Sequence, residues 1–417
     1  MRREPPLWPA AAVAALLFGV SFYVLQRWLE HGALSDVPVY EHYAHLIRTG
    51  QVPYRDFPLE YPPAALAAFV VPAYPRWSYA TSFAVLMGVC GAGCIALAAT
   101  VLRSAGAGFL RSTAALLLIG VSPLVLGSLF DTRFDLWPAL LLLAALAALL
   151  RGRSFLGGAL GGLAFAAKLW PVALVPLALA YLWRRDGARA ALAAAAAFVA
   201  VAAACFVPFA VLAPDGVRHS ITGQLDRPLQ IESLGAAVLV ASEHAGARAL
   251  PTVTSHGGQA LAGSRARVAA DATTALEILG VLAVLVGFLR RRASGEALLV
   301  GAAGTVAMLV AFGKVLSPQF LIWLVPLVPL ARGLRGLAGS ALLLGALGLT
   351  QVYFPDHYWA YATGHAVPWS WVVLARDLLL VALAVVLAWP GRLERNRFGE
   401  HRSLLQALDS IRGSAAQ

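Results

Sequence analysis

Apolar residues occur along this chain in long runs separated by short polar gaps. Such runs are typical of membrane helices, although several are shorter than the roughly 20 residues that cross the ~30 Å apolar core of a bilayer. The short runs are expected to tilt, to thin the bilayer or to line a wet cavity. Twelve runs predict transmembrane or re-entrant helices, at residues 7–29, 78–102, 113–130, 136–150, 155–167, 172–183, 190–212, 272–289, 297–312, 320–331, 337–349 and 372–389.

The gaps between these runs alternate in charge. Arginines concentrate in every second gap, and the positive-inside rule assigns such gaps to the cytoplasm. The alternation holds only if residues 62–75, which include four prolines, do not cross the membrane. It predicts a multi-pass plasma-membrane protein with both termini cytoplasmic, an integral membrane domain over residues 1–390 and a basic cytoplasmic tail over residues 391–417.

Composition agrees with a membrane location. Apolar residues make up 60% of the chain and charged residues 13%, with a mean hydropathy of +0.74, against about 45–50% and 25% in soluble proteins. The net charge of +11 would suggest a nucleic-acid ligand in a soluble protein, but here the arginines follow the membrane topology. We therefore expect no nucleic-acid partner and predict an all-α polytopic bundle in the lipid bilayer, with about 12 helices.

The first polar segment, residues 30–62, is predicted to lie outside the cell and to carry short interfacial helices. Apolar residues at helical spacing between Val39 and Ile47 predict an amphipathic helix that ends at Gly50. Asp36 precedes this helix, near the end of the first apolar run. A partly desolvated carboxylate there can act as a base, and the alternative is that Asp36 only caps the helix.

A His-x-x-His pair, His42 and His45, lies within the same predicted helix. Two imidazoles at this spacing could bind a metal ion, but the sequence fixes no third ligand. The pair therefore does not by itself predict a metal site.

The chain has only two lysines, Lys168 and Lys314, and each lies in an apolar stretch just before a proline. Arginine gaps flank both stretches on both sides, so each lysine is expected at the outer apex of a helical hairpin. An ammonium group at this depth could meet a lipid-linked phosphate. The alternative is a lysine that only reaches the outer headgroups.

Two further polar clusters fall on the predicted outer face, one of them in a large outer loop over residues 213–271. They contribute Arg133 and Arg227, so that with the two lysines four cations could meet in one outward cavity and bind phosphate. The competing explanation is local neutralisation, with Arg133 paired to Asp131 and Arg227 to Glu232.

Three stretches of the chain form a recognisable pattern. They are Asp36-x3-Tyr40 through Gly50-x2-Pro53-Tyr54-Arg55-Asp56-Phe57 to Glu60-Tyr61-Pro62-Pro63, then Ala167-Lys168-Leu169-Trp170-Pro171, and Lys314-Val315-Leu316-Ser317-Pro318-Gln319 up to Trp323. In this order they resemble the GT-C membrane glycosyltransferases that use a polyprenyl-phosphate sugar. The resemblance is greatest to glycosyltransferase family 87, the polyprenol-phosphate-mannose-dependent α-mannosyltransferases, and it spans residues 36–323.

This resemblance implies an inverting transfer of a hexose, mannose in this family, from a polyprenyl-phosphate donor to an envelope glycolipid or glycan acceptor. Asp36 would be the general base. From their positions on the predicted outer face, four cations are predicted to bind the donor phosphate: Lys168, Lys314, Arg227 and Arg133. Five further residues would line the substrate: Tyr40, Glu60, Tyr61, Asp131 and Gln319.

One departure concerns metal binding. The related glycolipid-anchor mannosyltransferases carry an Asp-x-Asp in this loop, whereas here Pro38 stands two residues after Asp36. A divalent metal is therefore not supported, and no cofactor is predicted.

Two other classes of protein remain open at this point. Broken helices and intramembrane cations also mark secondary transporters and flippases of lipid-linked or anionic substrates. A non-catalytic subunit of envelope assembly is the third class, although clustered charges near lipid would then be costly without a purpose.

Overall fold

The structure is a computed structural model that describes residues 5–24 and 34–388 of the 417 residues. The predicted basic tail, the N-terminal arginines and residues 30–33 of the predicted first outer loop lie outside these described residues. Within them the chain forms eighteen α-helices, five short 3-10 helices and one two-stranded antiparallel sheet.

The helices have the following bounds: α1 Trp8–Val24, α2 Val37–Arg48, α3 Leu66–Val70, α4 Tyr79–Ser104, α5 Phe109–Leu126, α6 Leu129–Thr132, α7 Leu136–Leu150, α8 Ser154–Ala167, α9 Val175–Asp186, α10 Ala188–Leu212, α11 Pro214–Leu225, α12 Leu234–His244, α13 Ser264–Leu289, α14 Gly295–Phe312, α15 Leu321–Leu324, α16 Gly333–Tyr353, α17 Tyr358–Ala362 and α18 Val367–Ala388. The strands are β1 Thr252–Ser255 and β2 Gly258–Leu261.

The predicted all-α membrane bundle is confirmed, since each of the twelve apolar runs contains helical residues within the part of the chain that the structure describes. Among the described residues, seven helices are long and apolar enough to cross a membrane: α4, α5, α10, α13, α14, α16 and α18. The remaining apolar helical segments have 10–17 residues. The segment between α2 and α4 belongs to this shorter class, since it consists of α3 and two flanking 3-10 turns. At 1.5 Å per residue such segments fall short of the apolar thickness of a bilayer.

The arginine-rich gaps gather at one end of the bundle. Arg332 donates a hydrogen bond to the carbonyl oxygen of Ala105 at 2.9 Å, and Arg185 donates one to that of Leu150 at 3.3 Å. Guanidinium groups thus satisfy carbonyls at the ends of neighbouring helices. The helices α8 and α14 each lead from this end toward one of the two lysines.

Glycines bring α8 directly against α10. A Cβ atom on Gly158 would overlap the backbone carbonyl of Ala194, and one on Gly162 would overlap that of Phe198. Small residues four apart allow two membrane helices to pack backbone to backbone. This contact fixes α8, and therefore the position of Lys168 at its end.

The segment predicted as a large outer loop over residues 213–271 is more ordered than a simple loop. It contains α11, α12 and the β1–β2 hairpin, and its last eight residues already belong to α13, which begins at Ser264. The apolar run begins later because Arg265, Arg267 and Asp271 occupy the first turns of α13. The helix therefore extends past its apolar stretch.

Candidate active site

The carboxylate of Asp36 is the first element of the site. Asp36 is the N-cap residue of α2, but its side chain makes no capping hydrogen bond. Pro38 at the second helical position has no N–H group to be capped, which removes one of the usual donors. The carboxylate instead lies 3.2 Å from Arg133 Nη1 and 3.4 Å from the hydroxyl of Tyr40. Asp36 therefore faces a cation, and its side chain remains about one-third exposed, at 34%.

Arg133 approaches Asp36 from the turn between α6 and α7. Its guanidinium is buried and also donates to the carbonyl of Thr132 at 3.2 Å. Arg133 thus forms a long-range ion pair with Asp36, which the sequence alone did not predict. Asp131 itself is buried within α6.

Lys168 forms a second ion pair close by. The backbone leaves helical geometry at Lys168, with φ −158° and ψ 137°, and the side chain reaches Asp135 at the start of α7. The Nζ–Oδ1 distance is 2.5 Å, and the indole N–H of Trp323 donates to the same carboxylate oxygen, also at 2.5 Å. The Asp135 side chain is fully buried and that of Lys168 is 14% exposed. The pair closes the α7–α8 hairpin at the end opposite its arginines.

Aromatic rings enclose the Lys168 ammonium. Its Nζ lies 4.8 Å from the ring centre of Phe134, 5.3 Å from that of Phe320 and 5.2 Å from that of Trp323. Trp170 stacks on Trp323 with centroids 4.6 Å apart. Ring faces attract a cation, so the aromatic side chains and Asp135 together stabilise the buried charge.

Three of the four predicted cations lie around this centre. The charges of Asp36 and Arg227 both act on Lys168, and Arg133 contacts Asp36 directly. Two acids and two cations from the segment before α2, the α6–α7 turn and the end of α8 therefore form the centre of the site. Arg227 of the α11–α12 loop lies close enough for its charge to act on Lys168.

Arg227 is held by the β1–β2 hairpin. Its Nη2 donates to the carbonyl of His256 in the hairpin turn at 2.7 Å, and the Ile231 amide donates to the carbonyl of Gln259 in β2 at 3.0 Å. His256 adopts φ +50° and Gly257 φ +68°, the left-handed conformations of a tight hairpin turn. The turn thus presents a carbonyl to Arg227, in place of the local partner Glu232 that the sequence had offered.

Glu232 has other partners. Its carboxylate accepts a hydrogen bond from Tyr353, and its carbonyl accepts one from Arg376 at 2.8 Å. Burial raises the pKa of Glu232 to about 7, while the charges of Arg376 and then Arg133 act in the opposite direction. Glu232 therefore anchors the α11–α12 loop to α18. Its carboxylate also lies close enough to Arg133 for an electrostatic interaction between the two.

Lys314 lies at the end of the second hairpin, and its contacts differ from those of Lys168. Its Nζ donates to the carbonyl of Leu225 at 2.7 Å, and its own carbonyl accepts from the Gln230 amide at 3.0 Å. Glu277 of α13 is its acidic neighbour. Lys314 thus holds the segment that carries Arg227 through hydrogen bonds on both sides of it, to Leu225 and Gln230.

The residues predicted to line the substrate lie mostly on the α2 side. Tyr40 is fully buried and stacks on Phe69 with ring centres 4.4 Å apart, and Tyr61 meets it edge-on at 5.9 Å. Burial raises the pKa of the Tyr61 phenol, which remains protonated and able to donate. Glu60 is exposed and adjacent to Tyr61. Gln319 lies in a short 3-10 turn before α15 and is half-buried.

The segment between α2 and α3 is folded tightly against α11. The Asp56 carboxylate binds Arg55 at 2.9 Å and accepts the Val52 amide at 2.7 Å, and these hydrogen bonds lower its pKa to about 2. Because the folded pKa is lowered, this contribution is complete above roughly pH 4 and is lost as the pH falls toward 2. A Cβ atom on Gly216 would overlap the Tyr54 carbonyl, which shows how closely α11 packs on this loop.

Sequence reasoning missed three important residues of the site. Asp135, which neutralises Lys168, could have been found as an acid immediately before an apolar helix, where a charge needs a partner. The adjacent charges Arg376 and Asp377 inside the last apolar run carried the same signal, and both are fully buried. No sequence pattern linked these residues to their distant partners.

The fold resembles solved membrane glycosyltransferases. ArnT from Cupriavidus metallidurans bound to undecaprenyl phosphate matches with a TM-score of 0.52 and 14% identity, over 92% of this chain and 76% of that chain. The oligosaccharyltransferase AglB from Archaeoglobus fulgidus, in complex with an inhibitory peptide and a dolichol-phosphate, matches with a TM-score of 0.45 and 16% identity, over 91% of this chain and 54% of that chain. No curated protein sequence matches this chain. The first of these likenesses defines the fold as that of a GT-C membrane glycosyltransferase.

Sequence comparison identifies the family within this class. The profile of glycosyltransferase family 87 matches residues 59–318, more than half of the chain. The chain belongs to glycosyltransferase family 87, and it is a glycosyltransferase. Family membership therefore decides for the predicted enzyme over a transporter or an assembly subunit. Within residues 5–24 and 34–388, no three His, Cys, Asp or Glu side chains are grouped so that they could hold a metal ion.

Proposed function

We propose that this protein transfers a hexose from a polyprenyl-phosphate donor to an envelope glycolipid or glycan acceptor at the outer face of the plasma membrane. Its family supports mannose as the sugar. The undecaprenyl phosphate bound by the structural neighbour ArnT supports a lipid carrier of the same kind. The clustering of arginine gaps at the far end of the bundle supports a cytoplasmic position for that end and an extracytoplasmic site.

The observation that carries the proposal is the Asp36–Arg133 ion pair beside the Lys168–Asp135 pair. A lipid-linked sugar phosphate that enters between the helices would place its phosphate among Arg133, Lys168 and Arg227. A phosphate attracts guanidinium groups strongly and in a bidentate geometry. It would therefore draw Arg133 away from Asp36 and leave that carboxylate free to accept a proton.

The reaction then follows from these positions. The acceptor hydroxyl loses its proton to Asp36 as its oxygen attacks the anomeric carbon, and the bond between that carbon and the phosphate oxygen breaks. Attack from the side opposite the phosphate inverts the anomeric centre. The polyprenyl phosphate leaves with its electron pair, and the neighbouring cations stabilise its developing negative charge.

The remaining predicted residues receive roles consistent with their places. Tyr40 would keep the Asp36 carboxylate oriented through its hydroxyl, and Tyr61 with Glu60 would border the sugar or the acceptor. Gln319 and Asp131 come from the Lys168 side and would line the donor. Lys314 would act on the phosphate through the Arg227 segment that it clasps.

The test is the variant Asp36→Asn, assayed in membranes with radiolabelled polyprenyl-phosphate mannose. Loss of a general base lowers kcat by about 10²–10⁴-fold. Expression and thermal unfolding should change little, because the partly exposed asparagine keeps a side-chain oxygen that can accept a hydrogen bond from Arg133. Asp56→Asn is the matched control, because it removes an exposed carboxylate of the same outer segment that lies outside the charged centre. Near-normal transfer by Asp36→Asn would remove Asp36 from the mechanism.

A further inference from the structure

A cavity lies on the side of α2 that faces away from the charged centre. It is a groove of about 590 Å³ between α2 and the segment that leads into α4, bounded by Pro38, Pro72 and Trp77. Ligand sites in proteins have volumes of roughly 300–1,000 Å³. The groove is therefore large enough for a ligand of several rings.

The helix α2 has two distinct faces. Val37, Tyr40 and Ala44 are buried on the face that packs against the aromatic residues of the charged centre. Glu41 and His45, four residues apart, lie on the face that lines the groove. Both faces begin next to Asp36, because Pro38 borders the groove two residues further along the chain.

The polar side chains of the groove are available to a ligand. Glu41, His42 and His45 are exposed, and none of them makes a side-chain hydrogen bond within the described parts of the chain. Arg48 is different, since its Nη1 donates to the Ala73 carbonyl at 2.8 Å and its guanidinium lies over the Tyr74 ring. Arg48 thus fixes the far wall, while the other three present free donors and acceptors.

Trp77 adds a planar apolar surface. It borders the groove with 62% of its surface exposed, just before α4 begins at Tyr79. An exposed indole at the outer end of a membrane helix offers a ring face to a ligand at the level of the headgroups.

The chemistry of this lining selects among ligands. An acyl chain needs an apolar groove, and Glu41, His42 and His45 exclude one. A phosphate headgroup would be repelled by the Glu41 carboxylate, and the nearest guanidinium is already bound to a carbonyl. Sugar hydroxyls both donate and accept hydrogen bonds, so carboxylate and imidazole groups suit them, and the apolar face of a sugar ring stacks on an indole.

We propose that the groove between α2 and residues 72–79 binds an oligosaccharide, namely the sugars of the glycan acceptor that precede its reacting residue. This proposal rests on the glycosyl transfer proposed above, since the acceptor would run along α2 toward Asp36. The groove extends from Pro38 to Arg48, about 15 Å at 1.5 Å per residue. It thus accommodates several sugars and leaves the reacting one at the charged centre.

The test measures sugar binding without any donor. The full-length protein in phosphatidylcholine nanodiscs is titrated with mannotetraose, maltotetraose and cellotetraose, and binding is followed by saturation-transfer NMR. We expect saturable binding of at least one tetrasaccharide. Trp77→Ala and His45→Ala should each weaken it about tenfold, the effect of ~1.4 kcal/mol. Trp183→Ala is the matched control, because Trp183 is equally exposed, at 61%, but lies at the arginine end of the bundle.

Three results would overturn the proposal. The first is that none of the tetrasaccharides binds the wild-type protein. The second is that the Trp77 and His45 variants bind as well as wild type. The third is that these variants keep sugar binding but lose retention of radiolabelled phosphatidylglycerol in mixed nanodiscs, which would make the groove a lipid-headgroup surface.

The binding test is independent of catalysis. Asp36→Asn should bind the tetrasaccharide like wild type while transfer is abolished. If the wild-type protein binds a tetrasaccharide but shows no transfer, the proposed function is wrong and the groove remains a sugar site. If the wild-type protein transfers sugar but binds no tetrasaccharide, the groove proposal alone is wrong.

Discussion

The two lysine hairpins look alike in the sequence and differ in the structure. Both lysines follow an apolar helix and precede a proline. Lys168 is enclosed by rings and paired with a fully buried carboxylate, whereas the Lys314 ammonium binds the backbone carbonyl of Leu225. The first hairpin therefore delivers a charge to the centre of the site, and the second holds the segment that delivers Arg227. Two similar sequence patterns thus lead to different contacts, a buried ion pair at Lys168 and a hydrogen bond to the backbone at Lys314.

The largest expected effect comes from the buried pair of the first hairpin. Lys168→Met leaves the Asp135 carboxylate buried without its cation, and breaking such a pair costs about 3–5 kcal/mol. We expect a clear drop in the unfolding temperature in detergent. Transfer should fall by about 100-fold or more, the usual effect of removing one charge-stabilising group. Differential scanning fluorimetry and a donor titration measure the two effects.

A double variant separates the two roles of Lys168. In Lys168→Met/Asp135→Asn both charges are gone, so stability should largely return, since no unpaired buried ion remains. Transfer should stay low because the phosphate has lost a cation. Recovery of transfer together with stability would show that Lys168 only neutralises Asp135.

The next effect concerns the packing of the two hairpin helices. A Cβ atom on Gly158 of α8 would overlap a backbone carbonyl of α10, whereas one on Gly304 of α14 would meet only side-chain atoms, at 3.5 Å or more. Overpacking costs about 1–3 kcal/mol, so Gly158→Ala should lower the unfolding temperature. Gly304→Ala should be neutral or slightly stabilising, since alanine favours a helix by up to about 1 kcal/mol over glycine. Equal unfolding temperatures for the two variants would refute the difference in packing.

The smallest effect is expected at Lys314. Lys314→Ala removes the solvent-exposed hydrogen bond to the Leu225 carbonyl, worth about 1 kcal/mol, which corresponds to a rise of about fivefold in the donor KM with kcat nearly unchanged. Lys314→Arg should retain most of the clasp and serves as the control. A loss of kcat as large as that of Lys168→Met would place both lysines on the phosphate and abolish the contrast between the hairpins.

Local sequence patterns predicted much of this fold. The spacing between Val39 and Ile47 predicted α2, and Gly50, with φ +91°, follows its end as expected. Apolar runs located the membrane helices because burial in lipid demands continuous apolar sequence. The predicted start of α13, at residue 272, was eight residues later than its observed start at Ser264. A helix can continue beyond its apolar stretch, where no apolar pattern marks it.

The charged centre was predictable only in part. Asp36, Arg133 and Lys168 were identified individually because charges near lipid are rare and costly. Their partners were not identified, since the Lys168–Asp135 and Asp36–Arg133 contacts join positions far apart in the chain. Such contacts depend on how α7, α8 and α2 pack, and this is decided by features such as Gly158 that carry no charge signal.

The helix α2 is fastened at both ends. Its first residues meet Arg133 through Asp36, and its last residue, Arg48, is tied to the Ala73 carbonyl. Because both ends are held, the twelve residues of α2 form a rigid helix about 18 Å long. If the acceptor lies along it, the enzyme measures length as well as chemistry, and a glycan too short to reach the far end would be a poor substrate even with the correct terminal sugar.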